Sequence, residues 1–435
     1  MSTKQRLLFI TTGGTIASVR TQQGLKPVLT SEELLAHLPE LNELCCPDTL
    51  ALCSIDSTDL GPEHWLMMAK AVQENYALYD GFIICHGTDT LAYSAAALSY
   101  LIQNADKPVI LTGAQQPISN EITDAKKNLR DSVICALDPG SRGVMVVFGG
   151  HVIAGTRAKK NKTISYDAFA SVNFPALALV QGDRLVRYVP SPWPTGPVEF
   201  GRALDPKVFL LKLIPGMDPG MIPEIFRLYD CVIVESFGVG GIPQRLMDAF
   251  AGHELHFITG HTHVNSNYDI REGVVEHNVA QICGNLWYDP INKDGTPKGY
   301  QLFRECGGEF SWEYRSLGSP AVRQLRVWQP GQVEAFPGSV VAKIWNWDPC
   351  WTVVWYEDGR YRGAMQRIQI VDPDYAAHLD SLKNAGRKLA KSQHPRISDF
   401  YFKARPSASA QTIEVVATDR FGRRYSERIT LEKAQ

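Results

Sequence analysis

The chain has 435 residues, enough for two or three domains that each bury a core. Its formal net charge of −2, with lysines and arginines scattered along the chain, gives no electrostatic footprint for nucleic acid. Nine cysteines without a Cys-x-x-Cys pair argue for reduced, buried thiols, and the only apolar run near the start, residues 7–10, is too short for a leader or a membrane span, so a cytoplasmic location is expected.

Strand and helix patterns alternate through the first half. Apolar runs at 7–10, 49–54, 82–85, 109–112 and 144–148 predict strands. Amphipathic or alanine-rich stretches at 31–38, 62–76, 89–103 and 123–137 predict helices. The helix at 31 opens with a capping-box pattern, Ser31 with Leu34 and, one residue earlier, Thr30 with Glu33. Apolar strands alternating with helices imply a parallel sheet covered on both faces.

Two strand ends carry chemistry. Leu7-Leu8-Phe9-Ile10 runs into Thr11-Thr12-Gly13-Gly14-Thr15, and Gly81-Phe82-Ile83-Ile84-Cys85 runs into His86-Gly87-Thr88-Asp89-Thr90. Glycine lets backbone and ligand approach closely, and in open α/β sheets the ligand crevice lies at such carboxyl ends. Two threonines and a carboxylate are therefore offered at one edge.

In this order and spacing the two blocks resemble the bacterial L-asparaginase family, closest to its cytoplasmic type I branch. Ile55-Asp56-Ser57-Thr58-Asp59, Thr123-Asp124-Ala125-Lys126-Lys127-Asn128, Gly155-Thr156-Arg157-Ala158-Lys159-Lys160, Ser165-Tyr166-Asp167-Ala168-Phe169 and Glu235-Ser236-Phe237-Gly238-Val239-Gly240-Gly241-Ile242-Pro243 extend the resemblance over residues 6–245. It implies hydrolysis of L-asparagine to L-aspartate and ammonia without a cofactor. Thr15 becomes the nucleophile, with Thr88, Asp89 and Lys160 as the second constellation. A lysine charge beside Thr88 favours an alkoxide there, and a lysine with depressed pKa can accept a proton. Ser57 and Thr58 match the substrate-binding pair for the α-carboxylate, and Asp89 suits the α-ammonium. His86 reads better as a packed strand-end histidine than as a base. A homodimer or homotetramer is expected, with no nucleic-acid or membrane partner.

Two departures stand out. No tyrosine occurs between Thr15 and Ser57, so the base for Thr15 is unassigned, although residues 20–27 can still close as a lid with Gly24 as hinge. The family's smaller C-terminal domain, opening at 207 after a Pro- and Gly-rich linker at 190–206, stops near Pro243.

Beyond the junction at 243–255 the text changes. Gly260-His261-Thr262-His263, then Glu276-His277-Asn278, Cys283-Gly284-Asn285-Leu286-Trp287 and Asp294-Gly295-Thr296-Pro297-Lys298-Gly299-Tyr300, resemble the back of the calcineurin-like metallophosphoesterases. His261 and His263 are candidate ligands for a divalent metal. The blocks that would supply the other ligands are absent, so packing of both at a strand end is the favoured reading. Short alternating strands and turn pairs such as Asp358-Gly359 predict a β-sandwich-like domain over 335–435.

The expected fold is thus α/β. Residues 1–189 form a parallel-sheet catalytic domain, 207–245 the start of a truncated second α/β domain, 246–332 a phosphoesterase-like segment and 335–435 a β-rich accessory domain. The alternatives to an asparaginase are a metal-dependent phosphoesterase and an inactive fusion.

Overall fold

The computed structural model describes residues 4–21, 24–27, 29–237, 241–250, 252, 254–260, 262–285 and 289–431. They divide into two compact units, Met1–Pro206 and Lys207–Gln435.

Unit 1 is built on one eight-stranded sheet. Its strands are β1 (Arg6–Gly13), β2 (Cys46–Ile55), β3 (Gly81–Cys85), β4 (Pro108–Thr112), β5 (Gly143–Phe148), β6 (His151–Ala154), β7 (Ala178–Gln181) and β8 (Arg184–Arg187). The order across the sheet is β2-β1-β3-β4-β5-β6-β7-β8. The first five are mutually parallel, and β6, β7 and β8 each run antiparallel to the strand before.

The apolar runs are continuous because both faces are covered. Leu7, Phe9, Ile83, Cys85, Ile110, Met145 and Val147 point to one face, where α1 (Ser31–Ala36) and α4 (Ala125–Leu137) pack. Leu8, Ile10, Phe82, Ile84, Val109, Leu111, Val146 and Phe148 point to the other, under α2 (Pro62–Asn75) and α3 (Leu91–Leu101). Period-two alternation thus divides each run between two cores. Of the two overlapping cap patterns before α1, the structure uses Thr30. Its hydroxyl accepts from the Glu33 N–H, and the Glu33 carboxylate accepts from the Thr30 N–H. The strand expected at 49–54 extends over Cys46–Ile55, since every one of those positions from 47 to 51 pairs with β1.

The residues after Thr15 form a small hairpin, Ser18–Thr21 against Gly24–Pro27. Gln22 and Gln23 of the expected lid lie outside the described residues. Within the expected linker, Glu199–Phe200 pairs with Ile102–Gln103, so part of that Pro-rich stretch is an ordered edge of unit 1.

Unit 2 opens with a two-stranded parallel sheet, Val208–Lys212 and Cys231–Glu235, with helices Met221–Leu228 and Gln244–Ala249. A three-stranded sheet follows, in which Val274–Asn278 lies between Leu255–Thr259 and Ser266–Arg271. Leu211, Ile222, Ile225, Leu246 and Phe250 share one buried cluster with Leu255 and Val274, so residues from both sides of the sequence junction make a common core. The Phe250 and Phe257 rings meet edge to face at 6.2 Å.

A long antiparallel hairpin, Gly299–Cys306 against Glu309–Ser316, comes next, and then a sandwich of two four-stranded antiparallel sheets. One orders Leu325–Trp328, Val340–Ile344, Ile397–Ala404 and Gln366–Val371. The other orders Arg360–Ala364, Thr352–Glu357, Thr412–Thr418 and Arg424–Thr430. Their inner faces interdigitate through Ile344, Phe400, Val353, Ile413 and Val415. The Asp358-Gly359 pair makes the tight hairpin turn with φ of 48° and 78°, the double positive φ of a type I′ turn. The sandwich begins ten residues earlier than the sequence pattern suggested. It also holds a helix, Pro373–Asn384, started by Asp372, whose carboxylate caps the Tyr375 N–H.

Candidate active site

The strand order β2-β1-β3 reverses the direction of the chain's winding at β1. The next strand after β1 lies on one side of it and every later one on the other, so β1 and β3 flank a topological switch point. The helices departing from these two ends go to opposite faces of the sheet, which leaves a crevice between them.

The turns that fill this point are in close contact. Gly14 has φ of 80°, and a Cβ there would lie 2.5 Å from both Cα and N of Gly87. A Cβ on Gly87 would lie 2.6 Å from Cβ and Oγ of Ser57. Only glycine fits at either place, and the result is that the residues after β1, β2 and β3 meet. Thr15, Ser57 and Thr88 are thereby gathered at one rim.

Lys160 reaches the same rim from the short strand Ala158–Lys160, which pairs with Phe169–Ser171. Its Nζ donates to Thr88 Oγ1 at 2.8 Å and to Asp89 Oδ1 at 2.7 Å. The Lys160 side chain is 15% exposed and that of Asp89 is 62% exposed, so the ammonium is sheltered while the carboxylate faces outward. Thr15 is half-buried in the turn Thr15–Ala17, and no hydrogen bond links its side chain to another described residue.

The expected substrate pair divides. Ser57 is buried against Gly87. The Thr58 hydroxyl and N–H both donate to Asp56 Oδ1, at 2.8 and 2.9 Å, so its side chain is engaged in closing its own turn. His86 is fully buried, as a packing histidine should be. Its Nδ1 donates to the Gly87 carbonyl (2.7 Å) and its Nε2 accepts from Ser94 Oγ (2.8 Å), which in turn accepts from Trp65 Nε1. Burial in this neutral network pushes its pKa down from 6.5 to about 4.

With this geometry in view, residues 6–192 match the family model for the asparaginase N-terminal domain. The L-asparaginase of Thermococcus kodakarensis is 39% identical over 242 residues, which cover 55% of this chain and 73% of that protein. The chain belongs to the asparaginase family. L-asparaginase 1 of Escherichia coli K12 is 35% identical over 249 residues, 56% of this chain and 73% of that protein. A glutamyl-tRNA(Gln) amidotransferase subunit of Metallosphaera sedula is 32% identical, covering 56% of this chain and 59% of its own length. Among solved structures, the thermostable T. kodakarensis L-asparaginase superposes with a TM-score of 0.53 at 37% identity, over 56% of this chain and 75% of that one. L-asparaginase I of Vibrio cholerae gives 0.54 at 26% identity, over 63% of this chain and 88% of that one. Residues 276–425 match the model for the C-terminal region of calcineurin-like phosphoesterases.

The asparaginase-like rim contains two residues that the sequence reading left without a role. Gln115 lies in the turn after β4, and its Oε1 accepts from Thr88 Oγ1 at 3.3 Å. Asp124, just ahead of α4, is buried and accepts from the backbone N–H groups of Gln115 and Gln116 at 2.9 to 3.0 Å. The signal was present: an apolar run ending at Gly113 repeats the pattern of the first two strand ends, and β4 neighbours β3.

The phosphoesterase-like segment does not assemble a metal centre from its described residues. A two-metal site needs several carboxylate and imidazole ligands around ions a few ångströms apart. His261 lies outside the described residues. His263, with a left-handed φ of 61°, donates from Nδ1 to Asn285 Oδ1 at 2.7 Å. The Asn285 amide in turn donates to Asp289 Oδ2 and is within 2.8 Å of Tyr375 Oη. Among the described residues no three His, Cys, Asp or Glu side chains are grouped to hold a metal ion. Nor is any described helix long and apolar enough to cross a membrane.

Proposed function

We propose that this chain hydrolyses the side-chain amide of L-asparagine to L-aspartate and ammonia at the β1/β3 rim of unit 1. The observation that carries this reading is the bridge from Lys160 Nζ to both Thr88 Oγ1 and Asp89 Oδ1, beside the Gly14–Gly87–Ser57 contact that brings Thr15 alongside. A hydroxyl attacks an amide only when its proton has somewhere to go and the oxyanion is held. In this reading the Thr15 oxygen gives up its proton and forms a bond to the amide carbon, the C–N bond breaks, and the amide nitrogen leaves as ammonia carrying that proton. Water, activated at Thr88 by Lys160, then cleaves the resulting ester. Backbone N–H groups beside Thr88 face the oxyanion. Ser57 and Asp89 hold the α-carboxylate and α-ammonium, and Thr58, whose hydroxyl and N–H both donate to Asp56, shapes the turn that presents Ser57.

No step of this chemistry uses a metal. Assembly as a homodimer or homotetramer belongs to the same proposal. A second reading, hydrolysis of a glutamine amide, is favoured by the likeness to the amidotransferase. Ammonia release from L-asparagine and from L-glutamine, each with and without EDTA, separates the readings. The proposal predicts an EDTA-insensitive preference for asparagine in kcat/KM. A preference for glutamine would move it to the second reading, and release abolished by EDTA would overturn both.

A further inference from the structure

We infer that Gln115 is a positioning residue that turns the Thr88 hydroxyl onto Lys160; this rests on the amidase reading above. The Gln115 backbone is fixed from below. Both Asp124 carboxylate oxygens accept its N–H, at 3.0 and 2.9 Å, and Asn128 Nδ2 donates to Asp124 Oδ2 at 3.2 Å and to the Gly113 carbonyl at 3.0 Å. Its side-chain amide is fixed from the other side. Nε2 donates to the Ser165 carbonyl at 3.2 Å and lies 3.5 Å from the Lys162 carbonyl, both in the segment that follows Lys160. With the nitrogen committed to these carbonyls, the oxygen must face Thr88.

The consequence follows from counting protons. The Thr88 hydroxyl has one hydrogen. Lys160 Nζ donates into its oxygen at 2.8 Å, so that hydrogen must point elsewhere, and Gln115 Oε1 at 3.3 Å receives it. A contact of that length is ordinary in a resting site and tightens when substrate excludes water. Gln115 therefore selects the rotor in which an oxygen lone pair faces Lys160. It also ties the loop after β4 to the segment carrying Lys160, so that the ammonium and the hydroxyl move as one.

The test uses the full chain and four proteins: wild type, Gln115→Met, Thr88→Ser, and the double variant. Methionine keeps the length of the side chain and removes the acceptor. Serine keeps the hydroxyl and removes the methyl that restricts its rotation. The inference predicts that Gln115→Met lowers kcat about tenfold, less than the roughly 10²–10⁴-fold of a group that transfers the proton itself because Gln115 only orients the hydroxyl, with KM nearly unchanged. It further predicts a greater proportional loss from Gln115→Met in the Thr88→Ser background than in wild type, since the freer rotor depends more on its acceptor. Thermal melts of all four establish that each is folded. An active wild type whose Gln115→Met variant keeps its kcat, loses only KM, or loses the same factor in both backgrounds overturns this inference and leaves the amidase reading standing. A folded wild type that releases no ammonia sinks the amidase reading and this inference with it.

Discussion

Unit 1 and the first part of unit 2 begin from the same device, parallel strands joined through helices, and finish it differently. In unit 1 the central strands β3 and β4 are buried at every position and sandwiched between two cores. In unit 2 the strands Val208–Lys212 and Cys231–Glu235 are covered on one face by Phe209, Leu211, Val232 and Val234 packing with the helices. Their other face leaves Leu210 61% exposed and Ile233 54% exposed. Parallel sheets are ordinarily covered on both faces, so the second sheet is half a layered domain where the first is complete. The difference favours unit 1 as the seat of the proposed chemistry. A switch point holds catalytic groups to within fractions of an ångström only if the strands that carry them are fixed on both sides.

The largest effect that would sharpen this contrast is the loss of Lys160. Lys160→Met should reduce ammonia release by about 10²–10⁴-fold, the contribution of a positioned acid–base group, while the melting temperature of the protein stays within a few degrees. A loss below tenfold would mean that the rim of unit 1 does not house the reaction. Next comes the core beneath the rim. Ile84→Ala, at a position with no exposed area between α2, α3 and the sheet, should cost about 2–5 kcal/mol in denaturant unfolding. A cost under about 1 kcal/mol would show that unit 1 is no better packed than unit 2.

Burial of His86 makes a third prediction. Its pKa falls from 6.5 to about 4 on folding, so the unfolded chain binds its proton first as pH drops. The stabilising contribution is fully present above pH 6.5 and is lost progressively as pH falls from about 6.5 to about 4. The full window is worth about 3 kcal/mol. Amide hydrogen exchange of β3 should show this slope in wild type and a flatter one in His86→Asn, which keeps a donor toward the Gly87 carbonyl. Equal slopes would place the acid sensitivity elsewhere. The smallest effect belongs to the uncovered sheet of unit 2: Leu210→Ser should shift stability by less than about 0.5 kcal/mol, as at any exposed site. A cost near that of Ile84→Ala would reveal that the exposed face is covered in solution.

The sequence disclosed the two units unequally. Every central strand of unit 1 was legible because five-residue apolar runs between helices have few other uses. Thr15, Thr88 and Asp89 could be singled out because they follow strand ends marked by Gly14 and Gly87, whereas their roles, and Ser57 and Lys160 altogether, came only from the resemblance to the asparaginases. Which hydroxyl is already engaged could not be read that way. Thr58 pairs with Asp56 two residues away, a local turn that leaves no periodic trace. Gln115 meets Thr88 across 27 positions, through a strand pairing between β3 and β4 that fixes no side chain in advance. In unit 2 the alternating text gave the sandwich, but the shared core of Leu246, Phe250, Leu255 and Val274 straddles the point where the two resemblances meet. Resemblance to either family says nothing of a core that draws on both. Nor did the His-x-His pattern show that His263 Nδ1 meets Asn285, 22 positions away.

The central claim is that unit 1 houses an amide-cleaving centre. Steady-state ammonia release from L-asparagine in EDTA, measured for wild type, Thr15→Ala and Thr88→Ala with melts of all three, tests it most directly. The account predicts release by wild type and its loss in both folded variants. Release that survives either substitution, or its absence from a folded wild type, would contradict it.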